Sequence, residues 1–170
     1  DGWDLIVAKA DLSGARTVSS QNVQTPGIVW SPDSRELAFG ASSGSSTDIM
    51  LAIADSGAPR HLTGAPGIEV PAVWRQQGDR MTYIATVKGG GIRGYFLDLA
   101  TGQSTEIPGN LIGGWSPDGT QLALLPLGGN TPIWVADSVG DHARKLTQEG
   151  LEGDIQWSPD GKEIAYVSRR

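Results

Sequence analysis

The chain has 170 residues, 38% of them hydrophobic and 19% charged, which is ordinary composition for a folded protein and excludes wholesale disorder. A net charge of -6 with no cluster of basic and aromatic residues argues against nucleic acid as a partner. The absence of cysteine excludes disulfides and thiolate metal sites, and no apolar run approaches the roughly 20 residues that a membrane-crossing helix needs.

Twenty-four glycines and ten prolines would break helices too often, and the apolar runs between them are short, so the chain is expected to be all-β. In chain order, "DGWDLIVAKADLSGARTVSS" reads as two strands joined by an acidic turn. A strand then runs into Trp30, and "SPDSRELAFG" turns it back into a second strand. A serine-rich loop follows, then "DIMLAIADSGAPRHLT", a third strand, an acidic turn and a fourth. The same succession recurs around Trp74, Trp115 and Trp157, which stand 44, 41 and 42 residues apart. Aligned on these anchors without a gap, the segments place Leu37, Met81, Leu122 and Ile164 at one position. Ala38, Thr82, Ala123 and Ala165 occupy the next, and Phe39, Tyr83, Leu124 and Tyr166 the one after. Large, small and large side chains on a strand that is apolar on both faces predict a sheet packed between two other sheets.

The turn has its own chemistry. In Ser-Pro-Asp-Gly, proline fixes one φ, aspartate bonds its own backbone and glycine takes the positive φ. Gly78, Gly119 and Gly161 share that last register, and Ser34 replaces glycine in the first repeat. Asp33, Asp118 and Asp160 are therefore read as turn formers, and the four tryptophans as anchors of sheet packing.

A repeated unit of about 42 residues with four strands predicts a β-propeller of four-stranded antiparallel blades. The run "WSPDGKEIAYV" resembles the repeat of the TolB-like propellers, which also occurs in the propeller domains of prolyl oligopeptidase-type peptidases. The likeness extends over essentially the whole chain. Three repeats carry Ser-Pro-Asp, whereas the repeat at Trp74 has Arg75-Gln76-Gln77 and is a diverged member. Residues 1–170 thus read as one propeller domain or half-propeller with four blade-equivalents. Residues 151–170 supply two inner strands and residues 1–20 two outer ones, so the two termini are expected to share one blade. A four-bladed monomer, a homodimer exchanging halves into an eight-bladed ring, and an excised part of a longer propeller all satisfy this count, and the last two are favoured.

Signals for catalysis are weak. Gly40, Ser42 and Gly44 match G-x-S-x-G, but they lead from strand to strand and lack the helix that a nucleophile elbow requires. His61 and His142, beside Arg60 and Arg144, read as surface imidazoles, and Gly89-Gly90-Gly91 as a loop. No catalytic residue, metal or cofactor is assigned. Five residues before each tryptophan stand Thr25, Glu69, Asn110 and Glu152, polar at the start of each innermost strand and expected to face a central channel near one opening. Loops carrying Lys88, Arg93 and Asn130 join them as candidate binding residues. The resemblance implies a non-catalytic, periplasmic or secreted adaptor for a protein or peptide partner. The peptidase resemblance implies instead a gate to a hydrolase domain, which would require an α/β-hydrolase sequence downstream, and a third reading is a repeat fragment that assembles into a ring with no ligand.

Overall fold

Each tryptophan strand is paired to its successor through the turn that the sequence specifies. The backbone N–H of Gly119 donates to the Ser116 carbonyl and that of Gly161 to the Ser158 carbonyl, and both glycines take a positive φ. Ser34 makes the same bond to Ser31 at φ 60° without glycine's freedom. Inside these turns the serine hydroxyl donates to the aspartate two residues on, Ser116 to Asp118 at 2.5 Å and Ser158 to Asp160 at 2.7 Å. The same hydroxyls accept the N–H of Gln121 and Glu163, so one serine closes both ends of the hairpin. The hydroxyl bonds hold the carboxyls of Asp33, Asp118 and Asp160 below the usual aspartate range. In the diverged repeat, Arg75 takes the place of serine. Its guanidinium pairs with Asp79 at 2.8 Å and donates to the Gly119 carbonyl of the next turn at 3.0 and 3.1 Å. The departure from the motif ties two neighbouring turns together.

The computed structural model describes residues 2–20, 22–55, 58–109, 111–126, 132–148 and 151–169, without the side chains at 25, 26, 111, 112, 151–153 and 169. The described residues form sixteen strands and no helix. Three four-stranded antiparallel sheets follow chain order: β3 (Val23–Trp30) to β6 (Arg60–His61), β7 (Glu69–Trp74) to β10 (Ser104–Glu106), and β11 (Leu111–Trp115) to β14 (Arg144–Lys145). These are blades 1, 2 and 3. Their first strands lie side by side, β3 by β7 and β7 by β11, as inner strands of a propeller do.

The sheets stack through alternating faces. Ala38, Ile49 and Leu51 of blade 1 meet Trp74, Met81, Tyr83 and Leu97 of blade 2. Blade 2 turns Phe96 and Val73 toward Trp115, Leu122 and Leu124 of blade 3, and Thr82 donates across that contact to the Gly113 carbonyl at 2.9 Å. Leu37, Ala38 and Phe39 are each 1% exposed or less, so one strand is buried on both faces as its large-small-large pattern requires.

At the two ends of the row lie two-stranded sheets, β1 (Leu5–Val7) with β2 (Arg16–Ser19), and β15 (Leu151–Trp157) with β16 (Ile164–Arg169). The pairing Ile6 to Thr17 and Val7 to Arg16 reproduces Met50 to His61 and Leu51 to Arg60 of β5 (Ser46–Ile53) and β6. β1 and β2 are therefore an outer half-blade, and they cover the blade 1 face that carries Leu37, Phe39 and Met50. β15 and β16 are an inner half-blade docked on blade 3, where Trp157 Nε1 donates to the Gly114 carbonyl at 3.0 Å. Among the described residues these two half-blades are separate two-stranded sheets.

The open row corrects one sequence expectation. Trp74 and Trp115 are 8% and 6% exposed, as packing anchors should be, but Trp30 is 45% exposed. The inner tryptophan strands pack on the preceding blade, and the preceding unit of β3 is the outer half-blade alone. Ile28, Ile6, Tyr166 and Val167 are exposed at the same two incomplete ends.

Candidate functional site

A cavity with a buried ionisable wall lies between blades 1 and 2. Glu69 opens β7 and stands opposite Ala85 on β8 (Arg80–Val87), on the face of blade 2 that meets blade 1. Tyr83 on β8 and Tyr95 on β9 (Gly91–Asp98) share that face, and their rings stack at 5.0 Å between centroids with an 18° interplanar angle. The segment from Leu62 to Gly67, which carries the chain from blade 1 to blade 2, forms the opposite wall. Together they enclose about 860 Å³, ample for a side chain or small ligand.

That wall is fixed by backbone bonds to both blades. The Leu62 N–H donates to Ile49, the Thr63 hydroxyl accepts the Ile49 N–H at 2.8 Å, and the Gly67 carbonyl accepts the Thr47 N–H at 2.8 Å. On the other side, Ile68 and Thr86 exchange bonds, the Thr86 hydroxyl accepting the Ile68 N–H and the Ile68 carbonyl accepting the Thr86 N–H. A loop held at both ends keeps the cavity open at low entropy cost.

Glu69 is 1% exposed, and among the described residues its Oε2 has no hydrogen-bond partner. Burial raises its pKa; the Thr63 hydroxyl opposes the rise, and repulsion from Asp48 adds to it. The Tyr83 hydroxyl, which donates to Ser104 at 2.9 Å, is pushed up to about 12, chiefly by burial.

The structure distributes the sequence candidates as follows. Glu69 and Lys88 line the same cavity. Glu69 does not face a solvated channel, however, because its strand turns it into the contact between blades. Arg93 stands on the same face opposite Ala85 and pairs with Glu106 at 3.3 Å. Thr25 and Glu152 lie on β3 and β15, but their side chains are outside the description, and Asn110 and Asn130 fall outside the described residues altogether. Sequence reading missed Tyr83, Tyr95, Thr63 and Ser104 as site residues. Tyr83 occupies a repeat position held elsewhere by Phe39, Leu124 and Tyr166, so its hydroxyl alone did not mark it as a site residue.

The other motifs behave as their context requires. Ser42 of G-x-S-x-G pairs with Thr47 in the hairpin joining β4 (Glu36–Ser43) to β5. His61 lies 3.2 Å from Asp48 and His142 2.8 Å from Asp137, each an exposed imidazole beside a carboxylate of the same blade. The Asp137 hydrogen bond raises the pKa of His142. Among the described residues no group of three or more His, Cys, Asp or Glu could hold a metal ion.

No family model matches the chain. The crystal structure of TolB from Acinetobacter baumannii is similar with a TM-score of 0.74 and 26% identity over 98% of this chain and 43% of that one. The chain is a TolB-like β-propeller in fold. An oligogalacturonate lyase from Vibrio parahaemolyticus matches this TolB-like chain with a TM-score of 0.77 at 17% identity, over 98% of it and 52% of the lyase. A prolyl endopeptidase matches with a TM-score of 0.62 at 19% identity, over 92% and 25% respectively. The TolB-like chain thus spans about half the length of the first two proteins and a quarter of the third. At these identities the lyase and the peptidase speak to fold alone, and one fold carries unrelated activities.

Proposed function

We propose that this TolB-like propeller module is a non-catalytic binding scaffold for a protein or peptide partner, working in the periplasmic or extracellular setting that the TolB resemblance implies. The observation that carries the reading is the cavity between blades 1 and 2, where a buried carboxyl, two tyrosines and the rim cation Lys88 converge on walls held rigid by sheet hydrogen bonds. Recognition of an extended segment suits such a site. Its polar groups fix orientation, and its apolar lining from Leu62, Ala85 and Val87 supplies buried area.

Selection of a displayed random-peptide library on the folded chain tests this reading. Enriched peptides should bind the parent and lose about tenfold or more in affinity to a Glu69→Gln, Lys88→Ala double variant with an unchanged unfolding midpoint. Enrichment of no peptide, or of peptides indifferent to both substitutions, would discard the site.

The similarity to a prolyl endopeptidase supports a second reading, a propeller that gates a hydrolase domain. The gene sequence downstream of Arg170 decides it: an α/β-hydrolase domain there favours the gate.

A further inference from the structure

We propose that the cavity between blades 1 and 2 receives one basic group, a lysine-type ammonium or an arginine guanidinium on an extended stem, with Glu69 as its counter-ion. This rests on the peptide-binding reading above and adds the chemical class of the residue recognised.

Four observations converge on it. First, among the described residues Glu69 Oε2 is buried without a donor, and an acceptor left in that state costs free energy that a ligand N–H would recover. The nearby Thr63 hydroxyl lowers the pKa of the carboxyl, opposing the effect of burial, but Oε2 itself has no hydrogen-bond partner among the described residues. Second, the adjoining wall is aromatic. The stacked Tyr83 and Tyr95 offer π-electron density to a cation within the same cavity, and a desolvated cation gains more from it than an exposed one. Third, Leu62, Pro66, Ala85 and Val87 line the approach, which matches the alkyl stem of lysine or arginine better than a compact ion. Fourth, Lys88 stands at the rim and repels a second positive charge. The residue recognised should therefore be a single basic one with neutral or acidic neighbours.

A water molecule could also donate to Oε2, and it would leave the aromatic and apolar walls without a role. Direct ligand comparison separates the two. Nα-acetyl-lysinamide, Nα-acetyl-argininamide and the uncharged analogue Nα-acetyl-norleucinamide, which keeps the alkyl stem and lacks the ε-ammonium, are titrated into the full chain while the backbone amides are followed by NMR. The basic probes are expected to shift Gly64, Gly67, Thr86 and Lys88 and to bind about tenfold or more tightly than norleucinamide. Glu69→Gln should remove that advantage and leave the norleucinamide affinity unchanged.

Should Glu69→Gln disturb folding, Lys88→Glu at the exposed rim provides the second variant, with lysinamide affinity rising about threefold. Equal binding of norleucinamide, shifts confined to another surface, or no binding of any basic probe would overturn the proposal. Library peptides that bind at Glu69 and Lys88 without any basic residue would also overturn it and leave the scaffold reading intact. If the basic probes bind and the library yields no peptide, the scaffold reading fails instead.

Discussion

Phe39→Ala is expected to lower the unfolding free energy by about 3–5 kcal/mol, measured by denaturant titration of the full chain. Phe39 is 0% exposed on the face of blade 1 that packs against the outer half-blade, and it lies between Ile28 and Met50 in the register of its sheet. Leu5, Val7 and Val18 cover it from the half-blade, so truncation removes a contact between sheets as well as a side chain within one. A stiff sheet cannot collapse into the space, which places the cost toward the upper end of the range. Tyr166 supplies the internal control because it holds the same repeat position at 45% exposure. Tyr166→Ala should cost about 1 kcal/mol or less. Equal costs at the two positions would mean that the packing of the half-blade on blade 1 is wrong.

Gly67→Ala should destabilise the chain by about 2–4 kcal/mol and abolish probe binding in the cavity. Gly67 has φ 132°, which side-chain-bearing residues rarely adopt, and a methyl group there would overlap the Thr86 carbonyl oxygen and sit 2.8 Å from the Thr86 hydroxyl. Those atoms belong to the sheet of blade 2 and cannot yield without breaking the exchanged bonds between Ile68 and Thr86. Gly64, three residues earlier in the same wall, has open space where its Cβ would be. Gly64→Ala is therefore expected to be neutral in stability, and the pair of thermal unfolding midpoints separates a strained position from a merely exposed one.

The repeat made the fold legible because each of its signals acts locally. Pro and Gly set the turn after Trp115 and Trp157, and the apolar run Leu37-Ala38-Phe39 required cover on two faces. Burial of a given anchor was not local. Trp30 holds the same repeat position as Trp74 and is covered differently because of what stands in front of its sheet, which no residue near Trp30 records. The site was half legible for a similar reason. Glu69 stood out as polar before an apolar strand, but its neighbours Thr63 and Tyr83 come from elsewhere in the chain, and only the stacking of blades brings them together. The β-bulge between Pro71 and Val73 sets which side of β7 each residue takes, and spacing from Trp74 alone did not reveal it.

A carboxyl-carbon NMR titration of Glu69 in the full chain tests the central claim, that sheet packing buries this acid and leaves one of its oxygens without a hydrogen-bond partner among the described residues. The charged and titratable groups around it are Asp48 on β5, Lys88 at the rim, and Tyr83 and Tyr95 on blade 2. With the folded pKa raised above the unfolded one, the folded state binds more protons between the two values, so stability falls as pH rises through that window and levels off above the folded pKa. The predicted result is a Glu69 midpoint above the ordinary glutamate value of 4.5 that moves down when Nα-acetyl-lysinamide is added. A midpoint at or below 4.5 that ignores the amine would contradict it.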